Sequence, residues 1–271
     1  MVLQLCLTSA IDDDSYELCT STLCNLSGNP PVLFNNFTAM FKPNPSFDIE
    51  QTNSKNQLIE QNRLKLCKGV PLDCLEPDNK QRDHRMLRKY DDDELKGFDL
   101  RILQRMLHGS IDVDEMDVDE RDASDSAWIL SISDIPPAGA NRKVSSQAIT
   151  ESTITTTGGS SASITSFLSE LGYILDYRLL VIGVKFNMKH NVYLELSKIW
   201  QIDNAGITRQ LTKGGFMVKA FVNVAKSTDI KSINNGTNAL LNLQKELSGY
   251  IDLTIPDRKS MDSRLENLND I

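Results

Sequence analysis

The stretch LDYRLLVIGVKFNMKHNVYLELSKIW, Leu175 to Trp200, alternates apolar and polar residues with few breaks and has one short polar turn in its middle. Side chains of a strand point to opposite faces in turn, so the pattern demands two long strands with one buried face. Ile182, Val184, Phe186 and Met188 share a face on the first strand; Val192, Leu194, Leu196, Trp200 and Ile202 share one on the second. Turn length decides which residues meet. A two-residue turn at His190–Asn191 sets Phe186 against Glu195. An odd turn over Lys189 to Asn191 pairs Phe186 with Leu194 and Lys185 with Glu195, which satisfies both faces, and a one-residue slip destroys both pairings. The odd turn is therefore predicted. Leu179–Leu180 interrupts the alternation and predicts a bulge there.

Similar patterns recur along the chain. VLQLCLTSA puts Leu3, Leu5 and Leu7 on one face of a strand, and VLFNNFTAMF, NRLKLCK, AWILSISDIPPAG and RKVSSQAITESTITTT read as further strands. Trp128, Leu130 and Ile132 share a face. FMVKAFVNVAK aligns Phe216, Val218, Ala220, Val222 and Val224, and Tyr250 to Ile255 reads as a last strand. Three segments carry helical spacing instead. The first has an acidic start and the stripe Tyr16, Cys19, Leu23, Leu26, closed by Gly28 and Pro30–Pro31. The second is SITSFLSELG, with Ile164, Phe167, Leu168 and Leu171 on one face; the third carries Leu240, Leu243 and Leu247. Many antiparallel strands and few helices predict an α+β, β-dominated fold, a closed antiparallel barrel with flanking helices, since closure removes exposed edges.

The chain reads as a single barrel domain over residues 1–271 with an inserted loop region at 77–126. Ile111 to Ser126, IDVDEMDVDERDASDS, is so acidic and poor in core residues that it is predicted disordered. A short helix or strand is expected near Leu100 to Leu107. Residues 256–271 form a polar tail that frays unless a partner or the domain body holds it.

A net charge of −8 repels phosphate and argues against direct nucleic-acid binding. No apolar run approaches the roughly 20 residues of a membrane span, and no secretory signal is read. Cys6, Cys19, Cys24, Cys67 and Cys74 are odd in number and lack C-x-x-C spacing, which fits reduced thiols. His84, His108 and His190 lie far from them, so no metal site is predicted.

The segments VLQLCLTSAIDDDSYELCTSTLCNLSGNPP, FKPNPSFDIEQTNSKNQLIEQNRLKL, SDIPPAGANRKVS, IGVKFNMKHNVYLELSKIWQI and GYIDLTIPDRKSMDSR closely resemble the Mediator subunit 18 family in its fungal, yeast-like form. The likeness covers most of the chain and departs at about Pro77 to Ser126. It implies a nuclear, non-enzymatic component of the Mediator head module, a coactivator that bridges activators to RNA polymerase II. It also implies a barrel similar to tunnel-type triphosphatases, a heterodimer with Mediator subunit 20 (a related barrel), and a bound C-terminal helix of Mediator subunit 8.

A metal-dependent polynucleotide five-prime triphosphatase is the rival reading. Such enzymes need E-x-E glutamate pairs for a divalent ion and bases for phosphate, and the chain contains no E-x-E. Phe186, Leu194 and Val218 point inward and predict a packed lumen without room for substrate. No G-x-S-x-G elbow or glycine-rich phosphate loop occurs, and GGSSAS at Gly158 reads as a linker. No catalytic, cofactor or metal residue is assigned. A third reading is an acidic adaptor outside transcription. For partner binding the sequence offers the neutral face of the first helix, Leu18, Ser21, Thr22 and Asn25, where only Glu17 is charged, and Met261 in the tail. An ordinary neutral surface, or a frayed tail, would have the same sequence.

Overall fold

A computed structural model describes residues 1–47, 54–56, 61–70, 84–90, 92–93, 95, 102–103, 106–107, 127–139, 142–155 and 163–265. Among the described residues nine strands form: β1 (Val2–Asp12), β2 (Val32–Pro43), β3 (Leu64–Gly69), β4 (Trp128–Ser133), β5 (Ser145–Ile154), β6 (Tyr173–Asn187), β7 (Tyr193–Ile202), β8 (Thr208–Gln210) and β9 (Gly215–Val224). They pair antiparallel in the order β6-β2-β3-β4-β5-β1-β9-β7, and β6 pairs with β7 as well, so eight strands close on themselves. The ninth, β8, extends the β7 edge beyond its contact with β9. Three residues long, it is too short to carry a visible alternation.

The long hairpin has the odd turn. Lys189–Asn191 forms one 3-10 turn, with His190 and Asn191 at φ 60° and 57°. Phe186 faces Leu194 and Lys185 faces Glu195, with an ion pair at 3.4 Å. Lys185 also lies over the Tyr193 ring at 4.5 Å, so the outer face reinforces the register. The bulge is not at Leu179–Leu180, which pair in step with Gln201 and Trp200. The shift falls earlier: Met40 faces Tyr177 and Phe41 faces Leu175, so Asp176 is the extra residue. Its carboxylate meets Arg63 at 3.0 Å and Lys42 at 3.6 Å, contacts that anchor the irregular position. Leu179 needs no bulge because an outward, half-buried site accepts it.

One side chain per pair of residues on every strand points into the lumen, and there the core forms. Leu5, Leu7, Phe37, Ala39, Phe41, Leu66, Trp128, Leu180, Ile182, Val184, Phe186, Leu194, Leu196, Trp200, Phe216, Val218 and Ala220 are all buried. Helices close the two ends. At one end α1 (Tyr16–Ser27) follows β1 after a 3-10 turn at Asp13–Ser15 and stacks Tyr16 on Phe216, centroids 4.2 Å apart. Gly28 ends it in the left-handed conformation and donates to the Cys24 carbonyl. His84 and Asp92 lie at the same end: the Tyr16 hydroxyl donates to His84 O, and Trp200 Nε1 donates to Asp92 O. Leu87, Leu95, Leu103 and Leu107 are buried, so the region read as an insertion contributes to the core. Residues 111–126 lie outside the described residues.

At the other end lies α3 (Ile230–Leu247), which buries Gly236, Ala239, Leu240, Leu243 and Leu247. Gly236 marks a close approach: a Cβ there would meet the Leu5 and Val222 side chains at 3.1 Å, tighter than ordinary contact. The short α2 (Ile164–Glu170) precedes β6. Only Ile164 and Leu168 of its predicted stripe are buried; Phe167 and Leu171 are 45% and 55% exposed, because a two-turn helix turns only its i, i+4 pair inward. Tyr250 to Ile255 makes no strand of its own. It is extended, buries Ile251 and Leu253, and pairs with β1 only at Thr8–Thr254.

Candidate partner-binding surfaces

Any catalytic use of the barrel would lie in its lumen. Phe37, Phe41, Trp128, Phe186, Trp200 and Phe216 occupy it, each at most 1% exposed. The sequence reading missed three cations among them: Lys68, Arg178 and Lys198 are buried at inward register positions. The signal was present for Lys198, which stands in phase with Leu194, Leu196, Trp200 and Ile202. Each cation has a specific neighbour. Lys198 Nζ lies 2.8 Å from Asp13 Oδ1, off the alignment of a hydrogen bond, so the attraction is chiefly Coulombic; it also lies 4.8 Å from the Phe216 centroid. Lys68 Nζ sits 5.1 Å above the Trp128 ring, and burial lowers its pKa. Arg178 donates to the Asp203 carbonyl oxygen.

Asp13 is the carboxylate seen beside these cations, and it is engaged by Lys198. Among the described residues no three of His, Cys, Asp and Glu converge as metal ligands. Burial pushes the Cys6 and Cys19 thiols up and keeps them protonated, the opposite of an activated nucleophile. Aromatic packing and the Lys198–Asp13 ion pair thus fill and brace the described part of the lumen.

On α1 the outer face is what the sequence spacing predicted. Tyr16, Cys19, Thr20 and Leu23 are buried, while Leu18, Ser21 and Asn25 are exposed and Thr22 is half-buried. Thr22 Oγ1 donates to the Leu18 carbonyl at 2.8 Å, so its hydroxyl is occupied within the helix. Leu18 is 60% exposed, an apolar side chain on an uncharged face. Charge borders the face where Arg88 reaches Asp14 at 2.9 Å and Glu17 at 3.6 Å.

Met261 is placed differently. The domain body holds the C-terminal segment. Thr254 exchanges both main-chain hydrogen bonds with Thr8, Arg258 donates to Pro136 O, Ser263 donates to Ser133 O, and Asn62 bridges to Arg264. The Met261 carbonyl accepts from Gln147 Nε2 at 2.9 Å and its sulfur accepts from Ser145 at 3.4 Å. Both polar atoms are thus taken by β5, and what the turn leaves outward is Lys259 and Ser260. The Arg264 guanidinium beside Asp262 holds that carboxyl below the usual carboxylate range. Alternation and composition of the tail carried no signal for this docking, because each contact joins residues more than a hundred positions apart.

A third feature is a cleft of about 710 Å³ between α3 and the last residues of β9, roofed by the β6–β7 turn. Its lining is rich in asparagine: Asn191, Asn223, Asn235, Asn238 and Asn242. Asp229 caps α3 by accepting from the Ser232 N–H and hydroxyl, which holds its carboxyl below the usual range.

Comparison with known proteins agrees with this architecture. A family described as Med18 protein matches residues 3–264. Mediator of RNA polymerase II transcription subunit 18 of Saccharomyces cerevisiae is 42% identical over 99% of this chain and 99% of its own length. The protein of the same name in Kluyveromyces lactis is 44% identical over 99% of this chain and all of its own. Among solved structures, a chain of the Schizosaccharomyces pombe Mediator head module superposes with a TM-score of 0.59 at 12% identity, covering 97% of this chain and 100% of that one, a likeness of fold.

Proposed function

On the premise that this chain belongs to the Med18 protein family, we propose that it is a non-enzymatic scaffold subunit of the Mediator head module. In that role it helps bridge activators to RNA polymerase II at transcription initiation in the nucleus. The observation that carries the reading is identity above 40% across the full length of curated Mediator subunits 18. The packed lumen supports it, since a barrel filled by aromatic side chains leaves binding energy to its outer surface. Its partners in this reading are Mediator subunit 20 as a heterodimer, a C-terminal helix of Mediator subunit 8, and through the assembled head the polymerase machinery. We assign partner contact to the neutral face of α1, Leu18, Ser21, Thr22 and Asn25, with the turn at Met261 as a secondary contact.

The test is coexpression with subunit 20 and the subunit 8 helix, followed by size exclusion and mass spectrometry. A stoichiometric ternary complex is expected. Elution of the chain alone from both partners, or phosphate release from triphosphate-ended RNA with manganese or magnesium, would overturn the reading.

A further inference from the structure

The asparagine-lined cleft has an open strand edge in its wall. β9 pairs with β1 through Val224, yet its pairing with β7 stops at Phe221, because the chain turns away through Lys189–Asn191. Val222, Asn223 and Val224 therefore have a strand on one side only among the described residues. Successive residues of a strand direct their N–H and C=O to alternate edges, so at least one of the three presents both groups to the cleft.

Facing that edge, α3 carries Asn235, Asn238 and Asn242 at spacings of three and four, all exposed and all on the cleft side. A carboxamide both donates and accepts, which is the pattern of a peptide main chain. Between the edge and the row lie buried Val222, Val224, Gly236 and Ala239, a narrow apolar strip. Charge is sparse: among the described lining residues Lys226 and Asp229 are charged, His190 lies on the turn above, and Asp229 is engaged as the cap of α3. One lysine does not make a phosphate track, which needs several cations.

We propose that this cleft binds an extended, uncharged segment of a partner protein, which adds to the β9 edge at Val222–Val224 while Asn238 and Asn242 hold its other main-chain edge. Small side chains of the segment rest on the rim of the strip at Val224 and Ala239, since α3 already closes on Val222 at Gly236. The inference rests on the scaffold reading for the class of partner and adds a second recognition mode, strand addition, at the end of the barrel away from α1.

The test uses the full isotope-labelled chain and, as probe, the acetylated and amidated hexapeptide TVNVTS. Saturable amide shifts are expected at Val222–Ala225 and in the side-chain amides of Asn235, Asn238 and Asn242. Methylating alternate peptide nitrogens of the probe, in one of the two phases, weakens binding about tenfold. The double variant Asn238→Ala, Asn242→Ala weakens it by about the same factor while its unfolding midpoint stays unchanged, since both residues are exposed. Absence of saturable shifts, equal binding of both methylated probes and the parent, or the same shifts elicited by a single-stranded oligonucleotide in place of the peptide overturns the proposal. Those outcomes leave the scaffold reading standing if the chain still copurifies with its Mediator partners; loss of copurification by the unaltered chain removes that reading instead.

Discussion

Replacing Gly183 by alanine should destabilise the barrel by about 3 kcal/mol. Gly183 lies in β6, opposite Phe34 on β2 and Ser197 on β7, and it has no positive φ to explain it. The cause is space. A Cβ there would meet the Leu196 carbonyl oxygen well under 3.0 Å, and Phe34 Cζ and Cε1 at 2.9 and 3.0 Å. The ring is the end of a side chain and can turn aside. The carbonyl belongs to the ladder of β7 and can retreat only if β6 and β7 part. Parting by about 0.5 Å takes a ladder bond from about 2.9 Å to the limit of useful length. One or two such bonds contribute about 1 kcal/mol each, and crowding a filled site adds about 1–3 kcal/mol. Urea unfolding followed by fluorescence reads the loss, because the two tryptophans, Trp128 and Trp200, are both buried. Adding Phe34→Ala should recover less than half of it, since the backbone clash persists. A loss under about 1 kcal/mol, or full rescue by Phe34→Ala, would refute the argument that the β7 carbonyl is what excludes a side chain.

Three further outcomes follow from the lumen and the surface. Asp13→Ala strips a carboxylate from buried Lys198 and should cost about 3 kcal/mol, whereas Lys198→Met should fall within about 1 kcal/mol of the parent; equal losses in urea unfolding would contradict the ion-pair account. Lys68 has its pKa lowered by burial, so the unfolded chain holds more protons between that lowered value and 10.5. Stability of the parent relative to Lys68→Met should therefore rise with pH across that alkaline window, and a flat difference between the two would be the contrary result. Finally, Leu18→Glu combined with Asn25→Arg should abolish copurification with the Mediator partners at an unchanged unfolding midpoint, as both side chains are exposed; retained copurification would move the contact away from α1.

The strands, their faces and the register of the long hairpin were legible because each rests on a local rule. Alternation marks the buried face of β1, β6, β7 and β9, and an odd turn with two satisfied pairings leaves one register. The outer face of α1 was legible in the same way, from helical spacing against the stripe of Tyr16, Cys19 and Leu23. Misreadings occurred where length or neighbours outweigh period. α2 is too short to bury Phe167, the bulge follows the cation partners of Asp176 and ignores the doubled leucine, and Tyr250 to Ile255 meets β1 at the single bridge Thr8–Thr254.

The amino-acid order by itself determined which residues turn inward and which strands run together, since both follow from a period of two and from turn length. Only the tertiary structure decided that Lys198 could occupy an inward site, because its carboxylate arrives from Asp13 at the far end of the chain. The same holds for the two barrel ends and the C-terminal segment: α1, α3 and residues 251–265 are placed by contacts between distant positions, and no local pattern carries the identity of a distant partner.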